Sequence, residues 1–266
     1  MGIEAPQSFI VREECEKAAS HNGFRRVQGE EAGWRAFTST TAQGAIYLAG
    51  ESGHGPWFLA TDHPGVVAEL GLPGATISGP GMQRYAFNSL GELYAALDRV
   101  YALAISLPDA PLREFERRVI DLPRVTEVER LVVQRIGQDI FRDRLMDYWQ
   151  GRCPLTGISD PALLRASHII SWADCENDAE RLDVHNGLLL SALWDAAFDR
   201  GLVTFNDEGL PKFSPRLSEK ARAELRWQAP IQLTDEHRGR LSWHRRQTFQ
   251  SNVQGFSSPH KVHGSD

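Results

Sequence analysis

Residues 153–205 read CPLTGISDPALLRASHIISWADCENDAERLDVHNGLLLSALWDAAFDRGLVTF, and this stretch decides the fold. A strand-like run from Leu163 to Ile170 carries His168 among apolar neighbours. A polar, acidic loop follows. A second run, Gly187 to Ser191, opens directly after His185-Asn186. The segment LWDAAFDRG then reads as a short helix that Gly201 ends. Its Asp195 and Asp199 stand four residues apart, which puts both carboxylates on one helical face. GLVTFNDEGLPKF reads as a hairpin that turns at Asn206 to Gly209.

Upstream, Thr126 and Glu129 form a capping box that starts a long helix running to about Gln150. Val128, Leu131, Val132, Ile136, Ile140, Leu145 and Tyr148 or Trp149 are its expected apolar face. Residues 109–124 are bracketed by prolines and read as a linker with at most a turn or two of helix. Before them, residues 8–23 predict a helix that Gly23 terminates. Strands follow at Trp34 to Thr40, Ala45 to Ala49, Trp57 to Thr61 and near Tyr85 to Phe87, with a short helix around Pro64 to Leu70 and a longer one over Ser89 to Ser106. The fold class is therefore α+β. A small α+β domain spans residues 1–108, the linker 109–124, a second domain 125–250, and a disordered tail 251–266.

Composition narrows the function. The chain has 266 residues, 41% hydrophobic and 24% charged, which is ordinary globular usage and excludes fibrous or wholly disordered classes. No apolar run is long enough to span a membrane, and the N-terminus lacks the pattern of a secretory signal. Cys15, Cys153 and Cys175 are odd in number and far apart, so a disulfide framework is not expected and a cytoplasmic location fits. The net charge of −6 argues against a protein that coats nucleic acid. The charge is uneven, however: residues 1–108 balance to −4 and residues 211–266 to +5.

The stretch as a whole resembles the HNH endonucleases, the ββα-metal nuclease superfamily, and in particular its bacterial restriction-type branch. The resemblance rests on Cys153-Pro154-Leu155-Thr156-Gly157, Ala166-Ser167-His168-Ile169, Asn186-Gly187-Leu188 and Phe198-Asp199-Arg200-Gly201-Leu202, in that order. It covers about residues 125–250. It implies a metal-dependent DNA endonuclease serving restriction or host defence, with double-stranded DNA as partner and RNA not excluded. Phosphodiester hydrolysis needs a base for the attacking water and stabilisation of the leaving oxygen. By the resemblance, His168 sits at the general-base position and Asn186 at the central position that holds the loop. Asp195 stands where a His is usual, and Asp199 at a second helical ligand position. Carboxylates favour a hard cation, so the resemblance implies Mg²⁺ or Mn²⁺, one per site.

Ser167 departs from the Asp or His that many members place before the base, and it would coordinate a metal only weakly or through water. Related nucleases often bind a structural Zn²⁺ on paired C-x-x-C motifs. Here Cys153 is followed by Thr156, so a structural Zn²⁺ is not expected. His185 reads as a variable loop residue. Arg200, Arg245 and Arg246 are candidate phosphate contacts, and Trp243 to Arg246 resemble a C-terminal helix that packs on the nuclease core. Cutting both strands needs two sites, so a homodimer is expected. The N-terminal domain reads as a specificity or regulatory module whose strand aromatics form its core. The competing reading is a non-catalytic nucleic-acid-binding or signalling protein with a degenerate HNH fold.

Overall fold

The structure is a computed structural model that describes residues 2–123 and 125–251. The disordered tail expected over 251–266 therefore lies, apart from Ser251, outside the described residues. The α+β class holds. Contacts divide the chain into two compact units. The first holds residues 1–151 together with 173–187, and the second holds 152–172 together with 188–266. This partition does not follow the boundaries at 108 and 125.

In the first unit, Ser8 caps α1 (Phe9–His21) by accepting a hydrogen bond from the Val11 N–H. A five-stranded antiparallel sheet follows in sequence order: β1 (Arg26–Glu31), β2 (Trp34–Thr38), β3 (Ala45–Gly50), β4 (Trp57–Thr61) and β5 (Gln83–Phe87). Every residue of β1 is exposed. It has no apolar alternation to betray it, which is why sequence reading passes over it. Register pairs Leu48 with Leu59 and Leu59 with Tyr85. Alternation puts these residues, with Phe37 and Ile46, on one face. Helix α1 packs against β3, and α3 (Leu90–Ser106) against β4. The opposite face carries Trp34, Ala49, Phe58 and Ala60, with Ile3, Tyr47 and Ile77 packed over them. The strand aromatics thus form core, except Tyr47, which is half-buried and lines a cleft of about 840 Å³.

Between β4 and β5 lies α2 (Pro64–Glu69). The expected linker is instead a ten-residue helix, α4 (Ala110–Val119), which buries Pro111, Phe115 and Val119. It packs on α3 and on α5 (Glu127–Tyr148), so this stretch belongs to the core. The Thr126–Glu129 capping box is present. The expected apolar face of α5 needs correction at its start. Val128, Leu131 and Val132 are 70%, 57% and 48% exposed, and the buried stripe begins at Val133 and continues through Gly137, Ile140, Phe141, Leu145 and Tyr148. The polar loop expected before Asn186 contains α6 (Asp178–Leu182), which packs on α4 and α5.

The second unit contains β6 (Leu164–His168) paired with β7 (Gly187–Ser191), followed by α7 (Ala192–Asp199). The hairpin β8 (Val203–Phe205) and β9 (Pro211–Phe213) turns where Gly209 N–H donates to the Asn206 carbonyl. Two further helices are α8 (Glu219–Glu224) and α9 (Asp235–Gln247). Trp194, Phe198 and Phe205 form an aromatic core. The His244 ring of α9 stacks on Phe198 at 4.1 Å, so the C-terminal helix packs on this core as expected.

Candidate active site

The strand β6 delivers two neighbouring side chains of opposite character. Ser167 is 2% exposed, while His168 is half-buried with its ring edge-to-face against Trp172 at 5.7 Å. Helix α7 lies against β6. This packing brings Asp195, in the first turn of α7, to Ser167: the hydroxyl donates to Asp195 Oδ1 at 2.5 Å. Ser167 therefore occupies one lobe of a carboxylate, and no other described residue bonds to the second.

Asp199 ends the same helix at the surface. Its carboxyl is pushed up from the usual range, first by desolvation and then by the negative charge of Asp195, with Arg200 acting the other way. Ser167 and Asp195 are thus the predicted residues that the fold brings into contact, and Asp199 stands one turn further along the same helix. Among the described residues, no group of three or more His, Cys, Asp or Glu side chains could hold a metal ion. The donors present suit a hard cation that takes two carboxylates and fills the rest of its shell with water and phosphate oxygens.

Asn186 is fully buried in the first unit. Its amide donates to Cys175 Sγ and to the Glu180 carbonyl, both at 3.3 Å, so it ties together the loop that precedes β7. Gly187 follows because nothing larger fits: a Cβ there would lie 2.5 Å from Phe141 Cζ and 2.8 Å from Leu145 Cδ1. The asparagine and glycine of this motif are thus explained by loop closure and by close approach to α5.

His185, read from sequence as a loop residue, is buried and held on both sides of its ring. It is 5% exposed, with Nδ1 at 3.0 Å from Asp183 Oδ1 and Nε2 at 2.8 Å from Glu69 Oε1. Tyr148 donates its hydroxyl to the other Glu69 oxygen at 2.6 Å. Burial alone would lower the pKa of His185, but hydrogen bonds to the two carboxylates and their charges outweigh it and hold the ring up at about 9. The local pattern Asp183-x-His185 is a weak signal for this clamp. Glu69 lies 116 residues away, and nothing in the sequence announces it.

The candidate phosphate contacts divide. Arg200 caps α7 and is exposed. Arg246 is exposed and reaches Ser242 Oγ. Arg245 instead donates to the Phe205 carbonyl and to Asp207 Oδ1, both at 2.7 Å, and so braces the β8–β9 hairpin. Cys15, Cys153 and Cys175 are free and buried. Sequence reading also missed His244 as a titratable group. It meets Thr204 Oγ1 at 2.9 Å, and desolvation lowers its pKa to about 4.

Residues 153–206 match the protein-family model described as HNH endonuclease. The match takes in both strands, α7 and the start of the hairpin, so the chain carries an HNH domain in its C-terminal region. A nuclease domain implies a nucleic-acid substrate. No curated protein matches the chain. Among the described residues, no helix is long and apolar enough to cross a membrane.

Proposed function

We propose that the protein is a metal-dependent DNA endonuclease of the restriction or host-defence kind. The observation that carries this reading is the Ser167–Asp195 hydrogen bond, which fixes one acid of α7 against the strand that bears His168, inside the segment matched to the HNH family. In this reading His168 is the general base. Its ring is half-buried yet reachable, and a neutral imidazole can take a proton from water near neutral pH. Asp195 and Asp199 would hold Mg²⁺ or Mn²⁺, which when bound supplies positive charge for the scissile phosphate and the leaving oxygen. Ser167 orients Asp195 and leaves its second oxygen available. Asn186 keeps closed the loop that joins β6 to β7. Arg200 and Arg246 meet flanking phosphates, while Arg245 holds the hairpin that follows α7. The first unit serves specificity or regulation, and a cytoplasmic homodimer would let paired sites cut both strands of double-stranded DNA.

A plasmid-nicking assay with Mg²⁺, Mn²⁺ or EDTA tests this directly. Cutting should require the metal and should disappear in His168→Ala. Running RNA beside DNA settles the substrate, and sedimentation of the active species settles the dimer. The second reading, a nucleic-acid-binding protein with a degenerate HNH fold, is favoured by the lack of a three-residue metal cluster among the described residues. It predicts metal-independent binding without cleavage, unchanged in His168→Ala.

A further inference from the structure

A cleft of about 660 Å³ in the first unit is lined by Arg113 and Arg117 of α4, Arg144 of α5, the β2–β3 connection from Thr40 to Gly44, and Tyr101 and Ile105 of α3. Glu114 is the only acid in its lining.

Their state is informative. Arg144 is held by Asp147 at 2.7 Å through Nη1 and by Glu114 at 3.4 Å through Nε, so its charge is already matched. Glu114 is shared with Arg118. Arg113 and Arg117 stand one helical turn apart and are exposed, and neither guanidinium group makes a hydrogen bond or ion pair with another described residue. The Gln43 amide nitrogen is buried without a partner among the described residues. The wall therefore offers a surplus of donors and positive charge. A buried donor left unmatched costs roughly 1–3 kcal/mol, so the arrangement makes physical sense when an acceptor-rich anion completes it. Paired guanidinium forks suit the oxygens of a phosphate. Tyr101 and Ile105 add an apolar wall for an organic group, and the volume lies within the range of small-molecule sites.

We propose that this cleft binds a nucleotide-sized phosphate ester, with the phosphate on Arg113 and Arg117 and the organic part toward Tyr101 and Ile105. The site is separate from the nuclease chemistry and does not rest on it. Only because residues 110–119 form a helix do these two arginines share a face.

Calorimetric titration of the full chain with AMP, ADP, GMP, GDP, inorganic phosphate and adenosine tests the proposal, with a short single-stranded oligonucleotide as a further arm and sodium chloride matched for ionic strength. At least one nucleotide should bind saturably, with adenosine and inorganic phosphate weaker by tenfold or more. The double variant Arg113→Gln/Arg117→Gln should lose tenfold or more in affinity while keeping its melting temperature, and Arg113→Lys/Arg117→Lys should recover part of the loss. Absence of saturable nucleotide binding overturns the proposal, as does binding unchanged in the glutamine variant. Binding of the oligonucleotide alone through these arginines also overturns it, and would make the cleft part of a nucleic-acid track.

Discussion

Ser167 shows how a single residue can change meaning between sequence and structure. In the family pattern it stands where a stronger metal ligand is common. In the fold its hydroxyl is spent on Asp195 at 2.5 Å, so it acts on the site by orienting an acid. Removing it leaves the carboxylate in place but free to rotate. Ser167→Ala should therefore slow metal-dependent cutting by about 10–100-fold, as loss of an orienting partner does elsewhere. Asp195→Asn should be worse, because it removes the charge itself. Cleavage rates measured across a metal titration check this: the Ser167→Ala loss should shrink at high metal concentration and the Asp195→Asn loss should not. Equal, metal-independent losses would show that the hydroxyl matters only for folding.

At the scale of elements, helix α5 and the loop before β7 depend on one another. Gly187 lets the backbone come within a methyl group of Phe141 and Leu145. Gly187→Ala should cost about 1–3 kcal/mol by overpacking, seen as a lower midpoint in urea unfolding with an unchanged slope. The Asp183–His185–Glu69 clamp adds a pH dependence. The folded pKa of His185 is raised from 6.5 to about 9, so its contribution is complete below pH 6.5 and is lost as pH rises through about 9. Such a shift corresponds to about 3 kcal/mol. Glu69→Gln should lower the melting temperature at pH 6, and the gap to wild type should narrow above pH 9. A gap of equal size at pH 6 and pH 10 would mean that the imidazolium is not what Glu69 holds.

For the whole molecule, the partition into units has a practical consequence. The segment 173–187 belongs with residues 1–151, although the family match runs straight through it. Asn186 and Gly187 are thus secured by a body that extends well beyond the matched segment. A fragment of residues 152–251 should lack cooperative thermal unfolding by near-ultraviolet circular dichroism, whereas the full chain should show it. A sharply melting fragment would mean that the HNH segment carries its own core.

The β6–β7–α7 order and the capped start of α5 were readable from local signals: period-two and helical apolar spacing, a capping box, and glycine at turns; the candidate roles of His168, Asn186 and the two acids came from the resemblance to HNH endonucleases. Those signals act over a few residues, which is as far as sequence neighbours can constrain one another. Strand β1 stayed hidden because an exposed edge strand needs no apolar alternation, and α4 because prolines at its ends outweighed its amphipathic middle. The start of α5 was misassigned because apolar residues alone do not say which face finds a partner. Long-range packing decided that His185 is clamped, that Ser167 serves Asp195, that Arg245 braces a hairpin, and that three arginines from α4 and α5 face one cleft. Each of these depends on backbone segments tens of residues apart meeting through burial and hydrogen bonding, and only the folded chain determines which segments meet.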